Sequence, residues 1–345
     1  MTVPSAFPVY VLTGFLGSGK TTLLASLLAH PGMGDTAVVI NELGEVALDH
    51  LLVRQVTDEV MLLGSGCVCC TVRDDLVSTL QELGRLREAG SIPPFSRVVV
   101  ETTGLADPAP IVQALMGTGR LRGAFRLTGL LATVDAVLGE RELDEHAEAL
   151  KQAAIADCLV ITKTDAAPAD AVARLRARLA ALNPSAALVE SAPGTFPGPD
   201  RLFGAAGFQL DAKPEAVQRW IRDEATDGDE TGRAHHAHRH DERVGSFSIR
   251  IAEPLEWTRV LEWLELLLAA RGESVLRVKG LINVAGHAKP TVIQGVQHIV
   301  YPPAELEAWP DADRSTRLVF VTRDLTRGAV ETSLRQALGT ALTLS

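Results

Sequence analysis

The chain has 345 residues, 46% of them apolar and 22% charged, and a formal net charge of −10. That length suits about two domains, and the composition is that of an ordinary globular protein. The acidic balance argues against wrapping nucleic acid, and no apolar segment approaches the length needed to cross a bilayer. The N-terminus lacks the basic region and cleavage pattern of a secretory signal, so a cytoplasmic protein with neither nucleic acid nor membrane as partner is expected.

In chain order, the apolar run Pro8–Thr13 reads as a buried strand and Lys20–Ala29 as a helix. Further strands are expected at Thr36–Asn41, Val60–Leu63, Arg97–Glu101, Leu127–Val134, Cys158–Thr162 and Ala187–Ser191. Helices are expected at Thr71–Ala89, Ala109–Met116, Glu145–Ala154 and Pro168–Leu182. Several strands are continuous apolar runs, the pattern of a mostly parallel sheet covered on both faces. From Gly194 to Gly207 the chain turns rich in glycine and proline, and Asp223–Arg243 is almost wholly polar. Beyond it, strands are expected at Gly245–Ile251, Val275–Val284, Val292–Tyr301 and Arg317–Thr322, with helices at Leu255–Ala270 and Leu325–Leu338. The fold class is therefore α/β, a mostly parallel sheet with helices on both faces, followed by a smaller α+β domain. The boundaries expected are 1–200, a linker with a His-rich loop at 201–243, and 244–345.

Gly14-Phe15-Leu16-Gly17-Ser18-Gly19-Lys20-Thr21 lies between the first strand and the first helix. Glycines there let successive N–H groups converge, and the helix end adds positive potential, so the loop suits phosphate. Gly14, Gly17, Ser18, Gly19, Lys20, Thr21 and Thr22 are the phosphate-binding candidates. In such a loop the Lys20 ammonium neutralises the outer phosphates and the Thr21 hydroxyl ligates Mg²⁺. Glu101, at the end of a strand, suits a carboxylate holding Mg²⁺ through water, and the Gly104 N–H a contact to the γ-phosphate; Lys20 and Glu101 are the catalytic candidates. Thr162-Lys163-Thr164-Asp165 closes a later strand. Asp165 would accept from guanine N1–H and N2–H₂, a donor pair adenine lacks, and the Lys163 stem would cover the base. The same four residues also fit a plain strand-to-helix turn.

Three of the four cysteines, Cys67, Cys69 and Cys70, fall within four positions. In a reducing compartment such clustering points to metal or redox chemistry, with small residues in a tight turn as the inert alternative. Three thiolates would hold a thiophilic ion such as Zn²⁺ and leave a coordination position open, which suits transfer. Glu42, in Asn41-Glu42-Leu43-Gly44-Glu45, would add an oxygen ligand or stand as a solvated loop carboxylate. Cys158 reads as a buried strand residue. His235, His236, His238 and His240 crowd one polar stretch, which suits collection of a transition metal or a solvated linker.

The motifs at 14–24, Asn41–Glu45, Gly66–Cys70, Glu101–Pro108, Thr162–Asp165 and Arg277–Gly280 together resemble the CobW family of P-loop GTPases, the metal-handling group related to the nickel-insertion GTPases of urease and hydrogenase. The resemblance implies a cytoplasmic GTPase using GTP and Mg²⁺, handling Zn²⁺ or Co²⁺ as a metallochaperone for a client metalloprotein. No glutamine in the water-positioning role and no arginine finger can be named in the sequence, so slow intrinsic turnover is expected. It also implies that Glu42, Cys67, Cys69 and Cys70 lie near the nucleotide. A maturation factor for a nitrile hydratase or a cobalamin-pathway chelatase, or a zinc-storage or sensing protein, are the alternatives. The chain departs from the family at Leu43, usually Phe, and at Thr162, usually Asn. Oligomeric state is not legible in the sequence.

Overall fold

The computed structural model describes residues 6–41, 72–117, 121, 123–206, 244–339 and 342–345. The expected strand Val60–Leu63 and the polar stretch 223–243 lie outside the described residues. By its contacts the chain divides into two compact units, Met1–Ala177 with Ala187–Gly207, and Arg178–Ala186 with Phe208–Ser345.

In the first unit six parallel strands form one sheet: β1 Phe7–Gly14, β2 Thr36–Asn41, β3 Arg97–Thr102, β4 Phe125–Asp135, β5 Cys158–Thr162 and β6 Ala187–Glu190. Their order is β2-β3-β1-β4-β5-β6. β1 therefore lies inside the sheet with β3 on one side and β4 on the other, and the connections diverge there. Such a switch point opens a crevice beyond the carboxyl ends of the strands. The register aligns the chemistry along that edge: Leu12 pairs with Glu101, Gly14 with Thr133, and Asp135 with Thr162.

Helix α1, Lys20–Leu28, buries Lys20, Leu23, Leu24, Leu27 and Leu28, the spacing of one helical face. Four of these are leucines packed with Tyr10, Leu12, Val38 and Val99; each fully buried leucine contributes about 1.5–3 kcal/mol. The fifth is a lysine, which gains nothing from an apolar face and so points to chemistry. The remaining helices of this unit are α2 Val72–Glu88, α3 Ala109–Gly117, α4 Gly139–Glu145, α5 Ala147–Ile155, α6 Ala169–Leu182, which runs on into the second unit, and α7 Pro199–Ala206.

Two of these helices differ from the sequence expectation. α4 and α5 are separate because His146, at φ −127° and ψ 113°, is extended between them; the charged segment before Glu145 gave no apolar pattern to reveal α4. α7 forms inside the Gly/Pro-rich stretch because Leu202 and Phe203 reach the core beside Tyr10, a tertiary contact that outweighs weak local propensity. Cys158 is fully buried in β5, as expected.

The second unit holds an antiparallel sheet in the order β10-β9-β8-β12-β7, from β7 Val244–Ile251, β8 Val275–Ile282, β9 Thr291–Val296, β10 Ile299–Val300 and β12 Thr316–Arg323, with β11 Ala304–Glu305 paired to β9. The stretch 292–301, expected as one strand, folds back as the β9–β10 hairpin around Gln297, whose φ is +51°. Helices α8 Trp257–Arg271 and α9 Arg327–Leu338 cover one face through Val260, Trp263, Leu264, Val330 and Leu334, against Ile249, Val278, Ile293 and Phe320. Gly280 is a packing requirement: a Cβ there would lie 2.5 Å from Leu318 Cδ2 and 2.8 Å from Ile293 Cγ1. Strand alternation puts Arg277 and Lys279 on the opposite face, both buried. Arg317 is buried too, its guanidinium donating to Asp311 Oδ2 at 2.7 Å and Oδ1 at 3.1 Å.

Candidate functional site

The loop from Gly14 to Gly19 needs its glycines. Gly14, Gly17 and Gly19 have φ of +142°, +73° and +88°, and a Cβ on Gly14 would lie 2.2 Å from Thr133 Oγ1. Gly19 is the N-cap of α1 and offers no side-chain acceptor to the first turn, whose N–H groups are then available to an anion. Lys20 Nζ donates to Gly14 O at 3.0 Å and Phe15 O at 3.1 Å, so the ammonium folds back over its own loop. Thr22, the third residue of α1, is exposed.

Beneath the loop runs a chain of hydroxyls. Ser18 Oγ donates to Phe15 O at 2.7 Å and lies 2.6 Å from Thr133 Oγ1. Thr102 Oγ1 donates to Thr13 Oγ1 at 2.9 Å. Thr162 Oγ1 donates to Ser18 O at 2.7 Å. Thr162 thus tethers the phosphate loop from below, a contact its hydroxyl makes without the amide of the residue more usual there.

Thr21 Oγ1 donates to Glu101 Oε1 at 2.7 Å. A hydroxyl from the start of α1 and a carboxylate from the end of β3 therefore converge, and two hard oxygens beside a phosphate loop fit Mg²⁺. The residues that would hold it are Thr21 directly and Glu101 through water; bound there, the ion supplies charge neutralisation between the outer phosphates. Gly104 lies against the loop, for a Cβ on it would be 2.8 Å from the Leu16 backbone.

The base-side candidates gather at the end of β5. Lys163 has a φ of +54°, a conformation non-glycine residues seldom take, and its Nζ donates to buried Asp135 Oδ2 at 2.6 Å. Asp135 Oδ1 also accepts from Val137 N at 2.7 Å. Asp165 is exposed at the same edge. Burial first, and then the neighbouring Asp135 carboxylate, raise the Glu142 pKa above the ordinary carboxylate range. His146 stacks on Phe15 of the phosphate loop, ring centroids 4.5 Å apart.

The structure thus brings Gly14, Gly17, Ser18, Gly19, Lys20, Thr21, Glu101, Gly104, Thr162, Lys163 and Asp165 to one sheet edge. Glu42, Cys67, Cys69, Cys70, His235, His236, His238 and His240 lie outside the described residues. Among the described residues no group of His, Cys, Asp or Glu is arranged to hold a metal ion, and no helix is long and apolar enough to cross a membrane. Sequence reading missed Thr133, Asp135 and Gln152. The Thr133-Val134-Asp135 step, polar residues closing an apolar strand, was the available signal for the first two.

A parallel sheet with a glycine-rich loop at its switch point, a lysine folded over that loop and a Thr–Glu pair beside it define a P-loop nucleotide-binding protein. Residues 8–190 match the family described as CobW/HypB/UreG, nucleotide-binding domain, and residues 244–338 match the Cobalamin synthesis protein cobW C-terminal domain. The chain therefore belongs to the CobW/HypB/UreG family. It is 31% identical to the zinc chaperone YjiA of Escherichia coli (strain K12) over 316 residues, covering 91% of this chain and 93% of that one. It is also 31% identical to the zinc chaperone CobW of Pseudomonas aeruginosa over 370 residues, covering 96% and 91%. The crystal structure of the Zn(II)-bound YjiA GTPase from E. coli superposes with a TM-score of 0.71 at 26% identity, covering 96% of this chain and 99% of that one.

Proposed function

We propose that this protein is a cytoplasmic GTP-hydrolysing metallochaperone that takes up Zn²⁺, or Co²⁺, and hands it to a client metalloprotein. One observation carries the nucleotide half: Lys20, the Thr21–Glu101 pair and Gly104 converge on a single glycine-rich loop. The relatives bearing zinc-chaperone names support the metal half. In this reading Lys20 swaps its loop carbonyls for β- and γ-phosphate oxygens, Glu101 orients the Mg²⁺ hydration shell, and Gly104 N–H meets the γ-phosphate. Asp165 selects guanine and the Lys163 stem covers the base. Cys67, Cys69 and Cys70 with Glu42 hold the transported ion, and the histidines at 235–240 collect it. The domains are those read from the sequence, 1–200, 201–243 and 244–345. The motifs read from the sequence name no glutamine to position water and no arginine finger, and slow turnover is expected on that ground.

Metal and GTP must then favour each other equally. Zn²⁺ affinity, measured by competition with a chromophoric chelator, is expected to be about 5–150-fold higher with a non-hydrolysable GTP analogue than with GDP. Equal affinities in the two nucleotide states would remove the coupled-carrier reading.

A further inference from the structure

Helix α5 grips the turn that follows β3. Gln152 is 1% exposed, and its Nε2 donates to Gly104 O at 3.1 Å and Ala106 O at 3.0 Å. Its neighbour Lys151 is ion-paired with Asp107, whose other oxygen accepts from Ala109 N at 3.0 Å at the start of α3. Two successive residues of one helix therefore hold Gly104, Ala106 and Asp107. Within the turn Ala106 N bonds Thr103 O at 3.1 Å. The phosphate loop also packs against this turn, since a Cβ on Gly104 would meet Leu16 Cδ2 at 2.7 Å and Leu16 N at 2.8 Å.

The residue type matters. A carboxamide has two N–H donors for two carbonyls, and a glutamate of the same size has none. Gln152 Oε1 is buried with no hydrogen-bond partner among the described residues. A buried unsatisfied acceptor is costly, and apolar packing alone would favour a residue without it. The arrangement is explained if the position of the Gly104 amide is what is being held. We propose that Gln152 is a positioning residue for the terminal phosphate: it sets the Gly104 N–H and so the preference of the site for a nucleoside triphosphate over the diphosphate. Lys151 assists through Asp107. This rests on reading the site as a guanine-nucleotide site. The inner phosphates are left to the loop amides and Lys20, which Gln152 does not touch.

The test compares wild type, Gln152→Met and Lys151→Met in the full chain with Mg²⁺. It measures dissociation constants for a fluorescent non-hydrolysable GTP analogue and for fluorescent GDP, alongside melting temperatures. Gln152→Met keeps the volume and removes both donors; it is expected to weaken the GTP analogue about tenfold, the scale of one hydrogen bond to a charged group, with GDP changed less than about twofold. Lys151→Met, at a partly exposed pair, is expected to move the same ratio in the same direction by less and to keep the fold if Gln152→Met does not. Equal losses for both nucleotides, or an unchanged ratio in the variants, would overturn the inference while wild type still prefers the triphosphate. Wild type that binds neither guanine nucleotide would instead overturn the site reading and this inference with it.

Discussion

Lys20 and Arg317 are both buried cations, one in each unit, and they are held in different ways. Arg317 is locked: two of its nitrogens meet both oxygens of Asp311, and Nη2 also donates to Asp313 O at 3.2 Å. The fork geometry consumes charge with charge, and such a pair serves architecture. Lys20 instead donates to two neutral carbonyls of its own loop. A neutral acceptor satisfies an ammonium less strongly than an anion does, so phosphate oxygens can replace those carbonyls at a gain. The contrast shows two ways to hold a buried cation. Arg317 faces a bidentate carboxylate; Lys20 folds back over carbonyls of the glycine loop, where the proposed function has phosphate oxygens take their place.

The largest effect expected is on the locked side. Arg317→Ala removes two hydrogen bonds to a charged partner, about 1.5–3 kcal/mol each; because Asp311 keeps a 35% exposed side chain and is left solvated, the lower end, about 3 kcal/mol together, is expected. Urea denaturation would read it, with nucleotide affinity unchanged; a loss below about 1 kcal/mol would make Arg317 no more structural than a surface ion pair. Next comes Lys20→Ala. It forfeits hydrogen bonds to charged phosphates worth about 1.5–3 kcal/mol each, so nucleotide affinity should fall by about a hundredfold or more, with little change in chemical stability. Affinity that survives would erase the distinction between the two cations.

The smallest effect sharpens the comparison with a third buried ion, Glu142, whose carboxyl is raised by burial and by Asp135. The fold binds this proton more tightly than the unfolded chain does. Stability from this group therefore rises as pH falls through the raised value and is complete below the ordinary carboxylate range. Glu142→Gln is expected to melt about 1–3 °C above wild type near pH 8, with the difference gone near pH 4. A difference independent of pH would mean that packing, not ionisation, governs the site.

What the sequence reveals depends on how local the chemistry is. The phosphate loop is legible because Gly14, Lys20 and Thr21 act within eight consecutive residues, and β1 and α1 follow from the apolar pattern on either side. Glu101 is legible as a carboxylate ending an apolar run. Thr133 is not, because its partner Ser18 is 115 residues away, and no spacing in one chain announces that pairing. Gln152 is hidden for the same reason, 48 residues from Gly104. The Lys163 sequence context suits a cover for the base; its pairing with buried Asp135 is not legible there, because that charge comes from another strand. The α7 helix was hidden by its own composition, since glycine and proline around it speak for irregular chain until Phe203 meets Tyr10 at 4.3 Å.

Helix α1 begins at a glycine that offers no capping side chain. The phosphates of a nucleotide are then the cap, completing the helix from outside the polypeptide. Whatever occupies the loop contributes to the free energy that keeps the chain intact, about 2.7 kcal/mol when ligand exceeds its dissociation constant a hundredfold. Limited proteolysis of the empty chain is therefore expected to run faster than that of the nucleotide-loaded chain.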